Sequence, residues 1–546
     1  MTQSVVMLLL LISATAILAR EARAGSGPRW LDRLADDGAP AMLGVSAVFT
    51  LWVVWGSLDP LPIFHDEAAY LLQAQLFARG LAAAPSPPLP EFFEQAHVLV
   101  TPVLAPKYPP GFALAMVPGI WLGWPALIPL LLTGLSASLL FVLARRTAGP
   151  LVALLATVLW MMAPDNLRYR AAYFSELLSG AFWLLGWWAL LRWRDSGRDR
   201  FLVAVAICAG CCAITRPLTA LVYAAPIGVV VLAAVARQRR WRLLALPIVA
   251  GTLIVALLPL HNRLVTGSWR LSPYSLYTRL YLPFDVMGFG LRAGQPEREL
   301  PPDLRQISEK FQAVHAGHTL GHLPATLVER AKAIEQGLSP AVPVMIGIFL
   351  LLGLAMARGP LVLGAVTALL LIVVHLLYAH TPDWTIYYLE SLPVLAALAS
   401  LGWSTCCHRL TEWRWSAGTA QGRNLHRIGM AAAVALLLWR FPAAMDQAAS
   451  LHRANSFVTD PFHRALERVP AHSIVFVHYA GEHQAQFSLV ANSPDPVQAP
   501  IWIVYDRGND NERLLRLAPD RSPFRYLEAQ RRIVPLSADP PNRNRP

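Results

Sequence analysis

Apolar runs close to the ~17-residue minimum for crossing a bilayer recur along this chain, separated by short gaps that hold most of its basic residues. Of its 546 residues, 55% are hydrophobic and 15% charged, against the ~25% charged residues usual in a soluble domain. Mean hydropathy is +0.43. The charge deficit is concentrated in the repeated runs, so the expected fold is mainly α: a polytopic transmembrane helical bundle of about 11–12 spans.

The net charge of +12 does not point to nucleic acid, because of where it lies. Arg145-Arg146, Arg192 to Arg200, Arg237 to Arg242 and His408 to Arg427 fall between apolar runs, as the positive-inside rule expects of cytoplasmic loops. The cysteines, Cys208, Cys211, Cys212, Cys406 and Cys407, lie in or beside apolar segments with no metal-ligand spacing, and read as small packing residues.

In chain order, residues 1–40 hold an apolar run at 4–19 and a basic linker with Arg20, Arg23, Arg29 and Arg33. A signal peptide carries its charge before the apolar run, so this reads as an extra first helix or a misplaced start. A transmembrane domain is expected over 41–441. Its spans fall near 41–57, 125–144, 150–164, 172–193, 200–215, 217–236, 242–260, 341–357, 360–379, 385–404 and 428–441. Alternating crossings put every dense arginine cluster on one side; exterior loops 58–124 and 261–340 and residues 442–546 fall on the other. Pro85, Pro87, Pro88 and Pro90 exclude a regular helix near 81–90. Residues 111–124 are short for a span and suit the interface, with Trp121 and Trp124. Residues 473–477 and 501–505 are β-branched and aromatic, so 442–546 is read as a small exterior α/β appendage ending in a disordered tail.

Two motifs bound the first exterior stretch: Phe64-His65-Asp66-Glu67-Ala68-Ala69-Tyr70 and Lys107-Tyr108-Pro109-Pro110-Gly111. Adjacent carboxylates at a membrane surface must stay wet, find a partner or shift their pKa, so Asp66 and Glu67 are the candidate acid/base groups. One of the two is also expected to cap the helix that follows. Lys107 stands out because Lys310 and Lys332 are the only other lysines. Beside Tyr108 and a rigid turn it suits a lipid-linked phosphate, or it snorkels at the interface. Arg168, Arg170 and Arg216 fall on the exterior side, against the charge trend, and need an anionic partner: a phosphate, or Glu176. His261 and Asn262 open the second exterior loop. Tyr274, with Trp269, Tyr277 and Tyr281, suits sugar stacking or, preferably, an interfacial aromatic belt. His315, His318 and His322 read as a solvated face rather than a metal site.

His65-Asp66-Glu67 with Tyr70, Lys107 to Gly111, Ser175-Glu176, His261-Asn262 with Thr266-Gly267, and Pro273-Tyr274 together resemble the GT-C glycosyltransferases. More narrowly, they resemble the bacterial branch related to protein O-mannosyltransferases and the lipid A aminoarabinose transferase. The resemblance covers roughly 41–290; later spans match by hydropathy alone. It implies an integral-membrane glycosyltransferase that moves a sugar, with inversion, from a polyprenyl-phosphate donor to a hydroxyl of a lipid, glycan or protein. The reaction would face the periplasm, at a bacterial inner membrane. Asp66 matches the position of the base, Glu67 supports it or helps bind a divalent metal ion, and Lys107 and Tyr108 match the segment near the donor phosphate. No glycine-rich nucleotide loop is present, in keeping with a lipid-linked donor. The alternatives are a transporter or flippase of lipid-linked glycans, which wants charges within spans, and a non-catalytic scaffold, which leaves Asp66-Glu67 unexplained.

Overall fold

The computed structural model describes residues 2–23, 28–57, 60–292, 294–339, 343–414, 420–487 and 489–536. The disordered tail expected at the C-terminal end lies largely outside them. The chain divides into two compact units. One comprises Met1–Pro60, Ala126–Leu257 and His318–His452; the other comprises Leu61–Pro125, Leu258–Gly317 and Arg453–Pro546.

The first unit is a helical bundle. Among the described residues of the whole chain, seven helices are long and apolar enough to cross a membrane, or eight if Pro150–Met162 and Pro164–Arg170, bent by 57°, form one span. The architecture is therefore mainly α and polytopic, as expected, but several expected crossings fall on helices that are short or carry charge. Asp199–Thr215 has 17 residues, Pro343–Met356 has 14, Pro360–His375 has 16, and Glu176–Ser196 ends in Arg192, Arg194 and Asp195. The 4–19 run is the Thr2–Ala22 helix, packed on Ala39–Trp55.

Glycines let backbones meet in this bundle. A Cβ at Gly353 would collide with the carbonyl oxygen of Leu398, and one at Gly402 with that of Phe349, so Pro343–Met356 and Leu392–Arg414 pack backbone to backbone. Trp183, Trp187 and Tyr223 form an aromatic core, with Trp183 and Tyr223 stacked at 5.5 Å.

The second unit gathers nearly all of the stretch 58–124, residues 258–317 of the second long loop and the C-terminal region, while residues 318–340 of that loop belong to the first unit. It holds the His65–Ala78 helix and a small antiparallel sheet in the order Ala84–Pro85, Val103–Pro106, Val98–Leu99. The stretch near 81–90 is accordingly not helical beyond a single 3-10 turn at Pro90–Phe92. A second sheet runs Ile501–Tyr505, Ser473–His478, Ser522–Leu527, Arg532–Pro535, with the first three strands parallel and the last antiparallel. The two strands foreseen are there; the other two carry Pro523, Arg525 and Arg532, which break the apolar run that marks a strand. The span expected at 428–441 belongs to one 47-residue helix, Ala420–Leu466, that continues past residue 442.

Candidate active site

The His65–Ala78 helix opens after an extended Phe64, and the capping falls to Glu67 rather than Asp66. Glu67, buried at the third helical position, turns back to accept from the amides of Phe64 and Ile63 at 3.1 and 3.2 Å. That leaves Asp66 pointing outward with 32% of its side chain exposed. His65 Nδ1 lies 2.8 Å from Asp66 Oδ2, His97 Nε2 lies 3.7 Å from Oδ1, and the Tyr108 hydroxyl donates to Oδ1. The imidazoles of His65 and His97 stand 4.5 Å apart.

Partial burial raises the Asp66 pKa, but His97, His65 and the hydrogen bonds from His65 and Tyr108 outweigh it and hold the carboxyl well below the usual range. Burial, helped by the Lys107 ammonium, pushes His97 well below the ordinary imidazole value, and burial pushes the Tyr108 phenol up so that it donates. Asp66 is thus an ionised carboxylate among donors at neutral pH.

Lys107 follows the Val103–Pro106 strand and is buried. Its Nζ lies 4.7 Å from the ring centre of Tyr274, 5.0 Å from Tyr277 and 5.5 Å from Tyr108. Burial lowers its pKa, and Asp285 and Asp66 pull it back up. Asp285 in turn faces His315 at 3.2 Å, both buried. His315 is therefore not on a solvated face, nor is buried His318, whose Nε2 faces the Leu376 carbonyl at 3.0 Å; exposed His322 alone fits that reading. The aromatic belt also fails for two members. Tyr277 and Tyr281 are buried and stacked at 4.4 Å, while Tyr274 and Trp269 are 37% and 57% exposed. The Tyr281 hydroxyl donates to Glu94, a partner far away in sequence, which is what draws it inward. His261 is buried edge-on to Phe77, and Asn262 donates weakly to the Trp269 carbonyl at 3.4 Å.

His65, Asp66 and His97 offer ligand atoms that all lie within 4.8 Å of one another, a donor set that fits a divalent cation. Glu67, the expected second ligand, does not join them; its position is fixed by the backbone amides it caps. His97 was missed in the sequence because a lone histidine in a loop carries no local signal.

The remaining candidates lie in the first unit. Arg216 pairs with Glu176 and, at 3.1 Å, with Glu390, and Glu390 accepts from Ser179 at 2.7 Å. Arg170 donates to Asn166 at 2.6 Å and stacks on Trp160 at 4.6 Å. Arg168 is exposed beside Tyr169. Of the two anionic partners foreseen for Arg216, the structure contains the carboxylate, and adds Glu390.

No protein-family model and no curated protein matches the chain. Among solved structures it is similar to ArnT from Cupriavidus metallidurans bound to undecaprenyl phosphate, at 17% identity over 88% of each chain, TM-score 0.48. It is also similar to the apo form of that protein, at 15% identity over 83% of this chain and 84% of that one, TM-score 0.49. A third likeness is to the arabinofuranosyltransferase AftD from mycobacteria, at 17% identity over 85% of this chain and 31% of that one, TM-score 0.44.

Proposed function

We propose that this chain is an integral-membrane glycosyltransferase that moves a sugar from a polyprenyl-phosphate donor to a hydroxyl acceptor, with inversion, on the periplasmic face of a bacterial inner membrane. The observation that carries the reading is Asp66: a partly exposed carboxylate kept ionised by three neighbours, in the same unit as a buried ammonium in a tyrosine cage. The resemblance of its two motifs supports it.

In this reading the acceptor hydroxyl attacks the anomeric carbon as the bond to the donor phosphate breaks. The phosphate leaves with the bonding electron pair, and Lys107 steadies the charge that develops on it. The proton goes to Asp66. A carboxylate held this far below its ordinary pKa is a weak base, so the transfer falls late, once the attacking oxygen has become acidic. Tyr108 orients the carboxylate, Tyr274 offers the sugar a ring face, and Glu67 holds the helix end that carries Asp66. A divalent cation would be held by His65, Asp66 and His97 and would supply positive charge to the site. The acceptor is a lipid, glycan or protein.

The test is transfer of radiolabelled sugar from a panel of polyprenyl-phosphate donors in membranes carrying wild type or Asp66→Asn. Transfer that collapses in the variant at equal protein level supports the reading; equal transfer in both refutes the site. Half-buried Arg216 and the buried carboxylates of Glu176 and Glu390, gathered at the ends of apolar helices, favour a second reading, a transporter or flippase of lipid-linked glycans, because charges enclosed beside spans can line a translocation path. Movement of labelled lipid across the bilayer without any transfer would favour that one.

A further inference from the structure

His97 occupies a backbone conformation that a side chain rarely takes. Val98 N donates to Gln95 O at 3.1 Å, closing a four-residue turn with His97 in third place at φ +65°. Glycine is the usual occupant of such a place, because its lack of a Cβ removes the strain. A histidine kept there is held against its preference, so something around it must do the holding.

The His97 amide donates to the Tyr277 hydroxyl at 3.0 Å, and the His97 carbonyl accepts from the Lys107 amide at 2.9 Å. The third restraint comes from the C-terminal region. Asn492 donates its backbone N–H to Gln95 Oε1 at 2.8 Å, and its side-chain amide to the same oxygen at 3.1 Å and to the Phe93 carbonyl at 2.7 Å. Gln95 is buried, so these bonds are shielded from water. The segment that carries Asn492 also reaches the residues before Asp66. The Gln486 carbonyl accepts from His65 N at 3.4 Å, and Phe487, buried, stacks on Phe64 at 5.7 Å. One stretch of chain thus braces both sides of the His97–Asp66 contact.

We infer that Asn492 is a positioning residue: it pins the Phe93–His97 turn so that the imidazole of His97 stays against Asp66. Asn492 touches none of the reacting groups and acts through Gln95. The C-terminal region is then a working part of the site rather than an accessory to it. The inference rests on the glycosyl-transfer reading only for its catalytic consequence; the geometric claim stands apart from it.

The test begins with a readout independent of transfer. The full chain, with 15N-labelled histidine imidazoles, is placed in lipid nanodiscs, and the His97 signals among the 15 histidines are assigned by their loss in His97→Asn. In wild type, Asp66→Asn is expected to shift them, since the two side chains are in contact. Asn492→Ala is expected to move the His97 signals and to abolish that response. Gln95→Met, which keeps the volume and removes the acceptor, is expected to do the same should Asn492→Ala fold poorly. His97 signals that stay in place in these variants and still respond to Asp66→Asn would overturn the inference and leave Asn492 a simple structural tie.

Kinetics then follow in the same preparations. With a donor that wild type uses, Asn492→Ala is expected to lower kcat between about tenfold and a hundredfold with an unchanged donor KM. Combined with His97→Asn it is expected to add no further loss, whereas additive losses would overturn action through His97. No transfer by wild type would refute the functional reading while leaving the imidazole result intact.

Discussion

At the residue scale, the two carboxylates that open the His65–Ala78 helix differ by where their oxygens point. Asp66 faces donors and solvent, and Glu67 faces two backbone amides. Asp66→Asn is expected to lower transfer by ~10²–10⁴-fold with thermal stability near wild type. Glu67→Gln is expected to cost about 1 kcal/mol of stability with transfer per folded molecule near wild type. Comparing melting and rate for the pair separates the roles; equal rate losses at equal melting temperature would contradict the division. The pH dependence follows from the neighbours. A hydrogen bond donated to the charged form lowers a carboxyl pKa, so Tyr108→Phe raises that of Asp66. Protonation then sets in at higher pH, and the acidic limb of kcat/KM is expected to move upward. A limb that stays in place would remove Asp66 from the rate equation. The motif at 64–70 pointed to this pair, and the cap rule named a role for one of them. Which of the two takes it depends on where the helix starts, expected at Glu67 and found at His65, and boundaries are the least legible property of a sequence.

At the scale of elements, the bundle is tied by charge in one place and by close backbone approach in another. Arg216, at the junction of Asp199–Thr215 and Pro217–Gln238, pairs with Glu176 on one helix and Glu390 on a 3-10 turn, and Glu390 is fully buried. Arg216→Ala leaves two carboxylates without their cation, so a loss of about 3–5 kcal/mol is expected, read as a fall in detergent melting temperature. Gly353→Ala and Gly402→Ala push a methyl against backbone that cannot swing aside, and are each expected to cost about 1–3 kcal/mol. Either glycine variant melting like wild type would mean that the two helices can separate freely. The apolar runs made these helices legible, because hydropathy is a property of consecutive residues. Glu390 was not: its meaning depends on Arg216 and Ser179, which lie far from it in the chain. Tyr277 and Tyr281 read as an interfacial belt for the same reason, since the groups that bury them are on other elements.

For the whole molecule, the segregation of arginine clusters from loops 58–124 and 261–340 makes a sidedness prediction. A cysteine introduced by Glu91→Cys is expected to react with an impermeant maleimide from outside intact cells, and one introduced by Arg194→Cys only after permeabilisation. Reversed labelling would overturn the orientation and with it the exterior site. The existing cysteines are buried or half-buried, which keeps the background low. The left-handed turn at His97 bears on how such a molecule changes over generations. Asparagine fits that backbone region with less strain than histidine does. A laboratory lineage selected for heat resistance alone is therefore expected to drift to asparagine at position 97, and only a lineage that must also survive on the product of this protein has reason to keep the histidine.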